Sequence, residues 1–242
     1  MIDKPKVEAE VAEKKPPRIS PVAMRVKQAR ARGVPLIAIE TPDPRDTMIG
    51  ISRMYDLAKD KPIVFQWNMC SGIEVTDPAR CFPVLMTMFK MMLGDEFEAP
   101  EPENASQKIA FANQVKAATM SPGACLDFLA ASNPNCVWFM SNLNWFLENE
   151  GVRQSIWNLR DKLKSLGSTL IMMGSTFTLP AELKSDVLTL KHPLPTDEEI
   201  EEIVKLTWDD AFTNLPESEK PVIADVPAVV DALTGLNAFG VE

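Results

Sequence analysis

The chain has 242 residues, a formal net charge of −9, and a composition that is 45% hydrophobic and 24% charged. That is enough apolar material for one large core or two modest ones in an ordinary globular protein. The acidic balance argues against a nucleic-acid binder that uses its whole surface. No run approaches the roughly 18 apolar residues that a membrane-spanning helix needs, and the Lys/Glu/Pro-rich start is unlike a secretory signal, so a cytoplasmic location is expected.

The charge is uneven: residues 1–33 hold nine Lys/Arg against four acids, while residues 196–202 hold five acids. Residues 1–20 are polar, Pro-broken and aperiodic, which predicts a disordered arm. Ser20-Pro21 reads as an N-cap followed by Pro at the first helical position, opening a basic linker helix over 21–33 that Gly33 closes. Its Arg25, Lys27, Arg30 and Arg32 present either a solvated face or contacts to phosphate or a neighbouring subunit.

From Val34 strands and helices alternate. The stretch Val34–Ile39 is apolar on both faces, as in a parallel sheet covered by helices. It turns through ETPDPRDT (residues 40–47) into a helix expected over Asp46–Lys59, with Met48, Ile51, Met54, Tyr55 and Ala58 on one face. A second strand over 62–67 leads into a Gly-containing loop. Residues 82–93 form a helix rich in Met86, Met88, Met91 and Met92, read as core filling with an adaptable contact surface as the alternative.

The acidic, Pro-rich stretch 94–106 is expected to be a mobile loop. Helices follow over Gln107–Ala118 and from Ser121-Pro122 through Ala131, then a third strand over 136–140. A helix over Val152–Leu166 stops at Gly167, and strands over 169–173 and 187–190 complete five. After Pro193-Leu194-Pro195 the pattern is helical only, with Thr196 and Glu199 forming a capping box and a last helix over Val226–Leu233.

The four cysteines, Cys70, Cys81, Cys125 and Cys136, form no CxxC pair and lie in apolar runs, so they read as free buried thiols rather than a metal site or disulfide pair. The single histidine, His192, has no neighbours in sequence that would complete a zinc site or a catalytic triad. Trp138, Trp145 and Trp157 are expected to fill the core. No nucleophile elbow and no G-x-G-x-x-G run is present.

Strands alternating with helices imply a three-layer sandwich on a parallel sheet, followed by a small helical unit. Five stretches give that order a family resemblance. The stretches "GVPLIAIETPDPRDT", "VFQWNMCSGI" and "CVWFMSNLNWFL", with "LPAELKSDVLTLKHPLPTDEEIEEIV" and "ALTGLNAF", resemble the AAA+ ATPase module over Arg32 to Glu242. The likeness is nearest to the first module of two-module AAA+ proteins of chloroplast-encoded, bacterial or phage origin. It implies a five-stranded α/β core over 34–195 and a helical lid over 196–242 that is truncated in a piece of a longer ATPase.

The resemblance also says where chemistry should sit. An active phosphate loop reads G-x-x-x-x-G-K-[ST]; here Glu40 stands for the first glycine, Arg45 for the second, Asp46 for the lysine and Thr47 for the hydroxyl. Pro42 and Pro44 remove two backbone donors. The Asp-Glu pair after the third strand is Ser141-Asn142, the sensor position keeps Ser175 and Thr176, and Lys184 lies where an arginine finger commonly occurs. The expectation is a degenerate, non-hydrolysing module for assembly or for engaging a partner. It binds no metal or cofactor of its own, ATP and magnesium belonging to the parent's active module. Lys184, Arg25 and Arg30 are its interface candidates, for self-assembly, a second AAA+ module or a protein client. Two alternatives stand beside it: an adaptor that grips nucleic acid or protein through the basic N-terminal segment, and a module that retains ATP without hydrolysis.

Overall fold

The computed structural model describes residues 20–55, 61–100, 104–216, 219–223 and 225–241. The arm expected over 1–20 therefore lies outside the described residues except for Ser20, as do Ala58 and Lys59. Helix α1 (Pro21–Ala31) begins as read, with the Ser20 side chain accepting from the Ala23 N–H. Strand β1 (Leu36–Glu40) follows, then α2 (Pro44–Arg53), β2 (Ile63–Asn68), β3 (Gly72–Val75) and α3 (Pro78–Leu93). Next come α4 (Ala105–Thr119), α5 (Pro122–Leu129), β4 (Cys136–Ser141), α6 (Glu150–Ser165), β5 (Thr169–Gly174) and β6 (Leu188–Lys191). Helices α7 (Asp197–Ala211), α8 (Val226–Leu233) and α9 (Ala238–Val241) close the chain.

The sheet runs β3-β2-β4-β5-β1-β6. The five expected strands are all present and mutually parallel, and β3 adds an antiparallel edge against β2. Side chains alternate across it as a two-residue period requires. Leu36, Ala38, Trp138, Met140, Leu170 and Met172 join the core under α3 to α6. Ile37, Ile39, Val137, Phe139, Ile171 and Met173 join the core under α1 and α2. Burial on both faces explains why these strands read as continuous apolar runs. A third, small core of Ile200, Val230 and Val241 holds the C-terminal helices together.

Strand β3 stands where the sequence predicts a loop, because four residues starting at a glycine carry too little alternation. Gly72 is required there: its φ is +64°, and a Cβ would lie 2.3 Å from the Lys116 carbonyl oxygen. Thr119 of α4 accepts the Ile73 N–H and covers this edge of the sheet. Helices α2, α3, α4 and α6 also begin earlier than expected. Asp43 caps α2 and Asp77 caps α3, each followed by Pro at the first helical position. Trp138 is buried, stacked on Phe65 at 4.1 Å, whereas Trp145 and Trp157 are exposed and not part of the core. Cys81, Cys125 and Cys136 are buried, but Cys70 is exposed in the turn between β2 and β3. Met88 is buried while Met91 and Met92 are exposed, so the Met-rich helix serves the core only in part. Among the described residues, no helix is long and apolar enough to cross a membrane.

Helix α1 is one layer of the sandwich rather than a linker standing outside it, since Val22, Ala23, Val26 and Ala29 are buried against the sheet. Arg30 fixes its end. The guanidinium donates to Thr169 Oγ1 at 3.1 Å, Asn135 Oδ1 at 3.0 Å and the Gly167 carbonyl at 3.2 Å, and lies over the Tyr55 ring. An arginine held by three acceptors of its own chain is a structural tie, which removes it from the interface candidates; Arg25, Lys27 and Arg32 stay exposed. Replacing Arg30→Met should therefore lower the unfolding free energy by about 2 kcal/mol in urea titrations, because charge-assisted hydrogen bonds are lost and their acceptors orphaned. A change within about 0.5 kcal/mol, the usual surface value, would contradict this role.

Candidate functional site

Glu40, Ser141 and Gly174 end three adjacent parallel strands, in a register that pairs Glu40 with Gly174 and Ser141 with Met173. The chain leaves β1 toward β2 on one side of the sheet and leaves the adjacent β5 toward β6 on the other, so the connections diverge at the carboxyl ends of β1 and β5. The crevice at the carboxyl end of such a strand is where open α/β sheets place ligands. Glu40, Arg45, Asp46, Thr47, Ser141, Asn142, Ser175 and Thr176 all fall at this end of the sheet. Lys184 does not: it is exposed in the turn before β6, beside Ser185 and Asp186, which share a surface cleft with Gly33 and Val34 before β1.

The N-cap of α2 is supplied from within the chain. The Asp43 N–H donates to Thr41 Oγ1, Pro44 has no N–H, and the Asp46 N–H donates to Asp43 Oδ1 at 3.0 Å. The other oxygen of the same carboxylate, Oδ2, accepts the Phe239 N–H at 3.2 Å, and Asn237 Nδ2 donates to the Pro42 carbonyl. One aspartate thus caps α2 and fastens the C-terminal helices to the turn. The sequence pattern places the start of α2 at Asp46, whereas the cap is Asp43, so Asp46 is a first-turn residue that favours the positive end of the helix.

Thr47 is buried, and its hydroxyl has three neighbours. It donates to the Asp43 carbonyl at 2.7 Å, lies 2.7 Å from Thr41 Oγ1, and lies 2.9 Å from His192 Nδ1. The hydroxyl is thus engaged on three sides, by the Asp43 carbonyl, the Thr41 hydroxyl and the His192 ring. The histidine is placed by its own N–H, which donates to the Glu40 carbonyl at 2.8 Å. Thr41 and Asp43 are site residues that the phosphate-loop register does not mark, and His192 is one that the sequence hides, lying 145 positions from Thr47.

Glu40 binds the ends of two neighbouring segments together. Its Oε2 pairs with Lys191 Nζ at 2.9 Å and its Oε1 accepts the Phe177 N–H at 3.2 Å, closing the loop that carries Ser175 and Thr176. At the end of β4, Asn142 adopts a left-handed backbone at φ +58° and donates its N–H to the Met173 carbonyl. Two residues on, Asn144 packs over Gly174, where an added Cβ would lie 2.2 Å from Asn144 Oδ1. That buried oxygen has no hydrogen-bond partner among the described residues. Neither Ser141 nor Asn142 can serve as a general base at neutral pH, and no group of three or more His, Cys, Asp or Glu able to hold a metal occurs among the described residues.

The family model "SpoVK-like AAA ATPase, N-terminal domain" matches residues 27–192, about two thirds of the chain. The chain belongs to this family. The match runs from α1 to His192 and includes every site residue named above except Asn237 and Phe239. No curated protein matches the sequence. Among solved structures, this AAA domain is similar to domain III of the replication initiation protein DnaA from Thermotoga maritima, with a TM-score of 0.47 and 13% identity over 90% of this chain and 76% of that one. It is also similar to AMPPCP-bound DnaA from Aquifex aeolicus, with a TM-score of 0.41 and 9% identity over 90% of this chain and 62% of that one.

The Glu40 carboxyl is held below the usual glutamate range, first by the Lys191 hydrogen bond and then by the Phe177 N–H, against a smaller opposing effect of burial. A depressed folded-state value stabilises the fold above the unfolded value near 4.5 and is lost as pH falls through the folded value. The urea midpoint of Glu40→Gln should therefore lie below wild type at neutral pH and converge on it as the pH drops below about 4. A difference that is constant with pH would show that the carboxylate's charge contributes nothing.

Proposed function

We propose that this AAA domain is a degenerate module that does not hydrolyse ATP and serves in assembly or partner engagement within a larger AAA+ ATPase. We place it with the first modules of two-module AAA+ proteins of chloroplast-encoded, bacterial or phage type. The observation that carries this reading is the filled first turn of α2. Asp43 supplies the anion that a helix N-terminus attracts, and the Thr47 hydroxyl is engaged by the Asp43 carbonyl, Thr41 and His192 rather than left open to a magnesium ion. Residue chemistry supports it further. Asp46 replaces an ammonium by a carboxylate, and a unit-charge contact at about 4 Å is worth on the order of 4 kcal/mol at an effective dielectric near 20, so its reversal is costly for a triphosphate. Ser141-Asn142 likewise stands where two carboxylates would organise magnesium and activate water.

In this reading the C-terminal helices act as a lid held by Asp43 rather than by a nucleotide. Self-assembly or contact with a second AAA+ module would then use a fixed arrangement of core and lid, and the exposed Arg25 and Lys184 are candidates for that contact. Isothermal calorimetry of residues 1–242 with magnesium ATP should show no specific heat of binding. A micromolar dissociation constant lost on Arg45→Ala, an exposed position, or on Thr47→Val would overturn the proposal in favour of a module that retains ATP.

A further inference from the structure

Beside the filled turn, a cavity of about 330 Å³ separates α2 from the C-terminal helices. Its walls are largely apolar and include Met54, Ile203, Leu206 and Ala238. Gly50 lines it from the middle of α2, and a Cβ at that position would meet nothing within 4 Å. Its φ is not positive, so the backbone does not call for glycine. A glycine in a helix interior is destabilising relative to alanine, so α2 carries a cost whose visible result is an open cavity. Among the described lining residues, Asp43, Glu199 and Glu202 outnumber the one guanidinium, Arg53, even leaving Asp46 aside.

We infer that this cavity is a binding site for a small organic cation with a compact apolar body, such as an aralkylammonium or alkylguanidinium group. The inference rests on the reading that the first turn of α2 is closed to phosphate. Field and shape act together: the apolar walls take the body, while the surplus of carboxylates favours the cationic head and disfavours anions. Glu199 and Glu202 lie on the wall-forming face of α7 with Ile203 and Leu206, which places negative charge next to the apolar wall rather than on a remote surface.

The test uses a matched pair of probes, 2-phenylethylammonium and 3-phenylpropanoate, titrated into residues 1–242 and followed by amide chemical shifts. Fragments of this size bind with constants on the order of 1 mM when they fit. The cation should shift Gly50 and its neighbours with about that constant, and the anion should bind about tenfold more weakly or not at all. Glu202→Gln should weaken the cation several-fold. Gly50→Leu, which fills the cavity with a good helix former, should abolish binding without lowering the melting temperature, whereas Gly50→Ala should keep it. Equal binding of the two probes, unchanged cation binding in Gly50→Leu, or no shift with either probe would overturn the inference. Magnesium ATP titrated into the same samples separates the two ideas: binding of ATP defeats the closed-turn reading, while silence from ATP and from both probes defeats the cation site alone.

Discussion

A helix that begins at the carboxyl end of a central strand exposes N–H groups that must be satisfied by something. Here that something is Asp43. One carboxylate accepts the Asp46 N–H through one oxygen and the Phe239 N–H through the other. The arrangement at this end of the sheet follows from it. Thr47 turns its hydroxyl back on the Asp43 carbonyl, His192 approaches that hydroxyl from the end of β6, and Asn237 reaches the Pro42 carbonyl.

This device leaves the scaffold untouched. The strands keep apolar residues on both faces, the Phe65 and Trp138 rings stack in the core, and Arg30 ties α1 to the start of β5. Burial of the sheet does not depend on which polar residues stand at its edge, so a chain can retain the layered architecture while the edge changes character. The proposal that this domain is a non-hydrolysing part of a larger assembly uses that separation. So does the inference of a cation site, because carboxylates that oppose a triphosphate favour the opposite charge.

Much of the fold was legible in the sequence for a plain reason: strands buried on both faces are continuous apolar runs, and helices announce their starts with capping residues. Ser20-Pro21, Ser121-Pro122 and the Thr196/Glu199 box each mark a helix start, and each cap is made. The same signal at Asp43-Pro44 and Asp77-Pro78 precedes the hydrophobic periodicity, which sets in only after the cap. Strand β3 left too short a trace. The site was legible in position but not in substance. The turn after β1 was placed correctly in the sequence, yet its partners come from residues 145 to 196 positions away, and a single histidine next to Pro gives no sign of the threonine it meets. Arg30 was indistinguishable from its exposed neighbours until Thr169, Asn135 and Gly167 were seen around it.

The central claim is that Asp43, and not a nucleotide, holds the C-terminal helices against the turn. Hydrogen exchange of the Phe239 amide tests it most directly, measured in the wild type and in Asp43→Ala, each with and without magnesium ATP. The account predicts that protection is indifferent to ATP in the wild type and falls about threefold to tenfold in Asp43→Ala, as the loss of one net hydrogen bond implies. Protection that rises with ATP, or that survives the loss of the carboxylate, would contradict it.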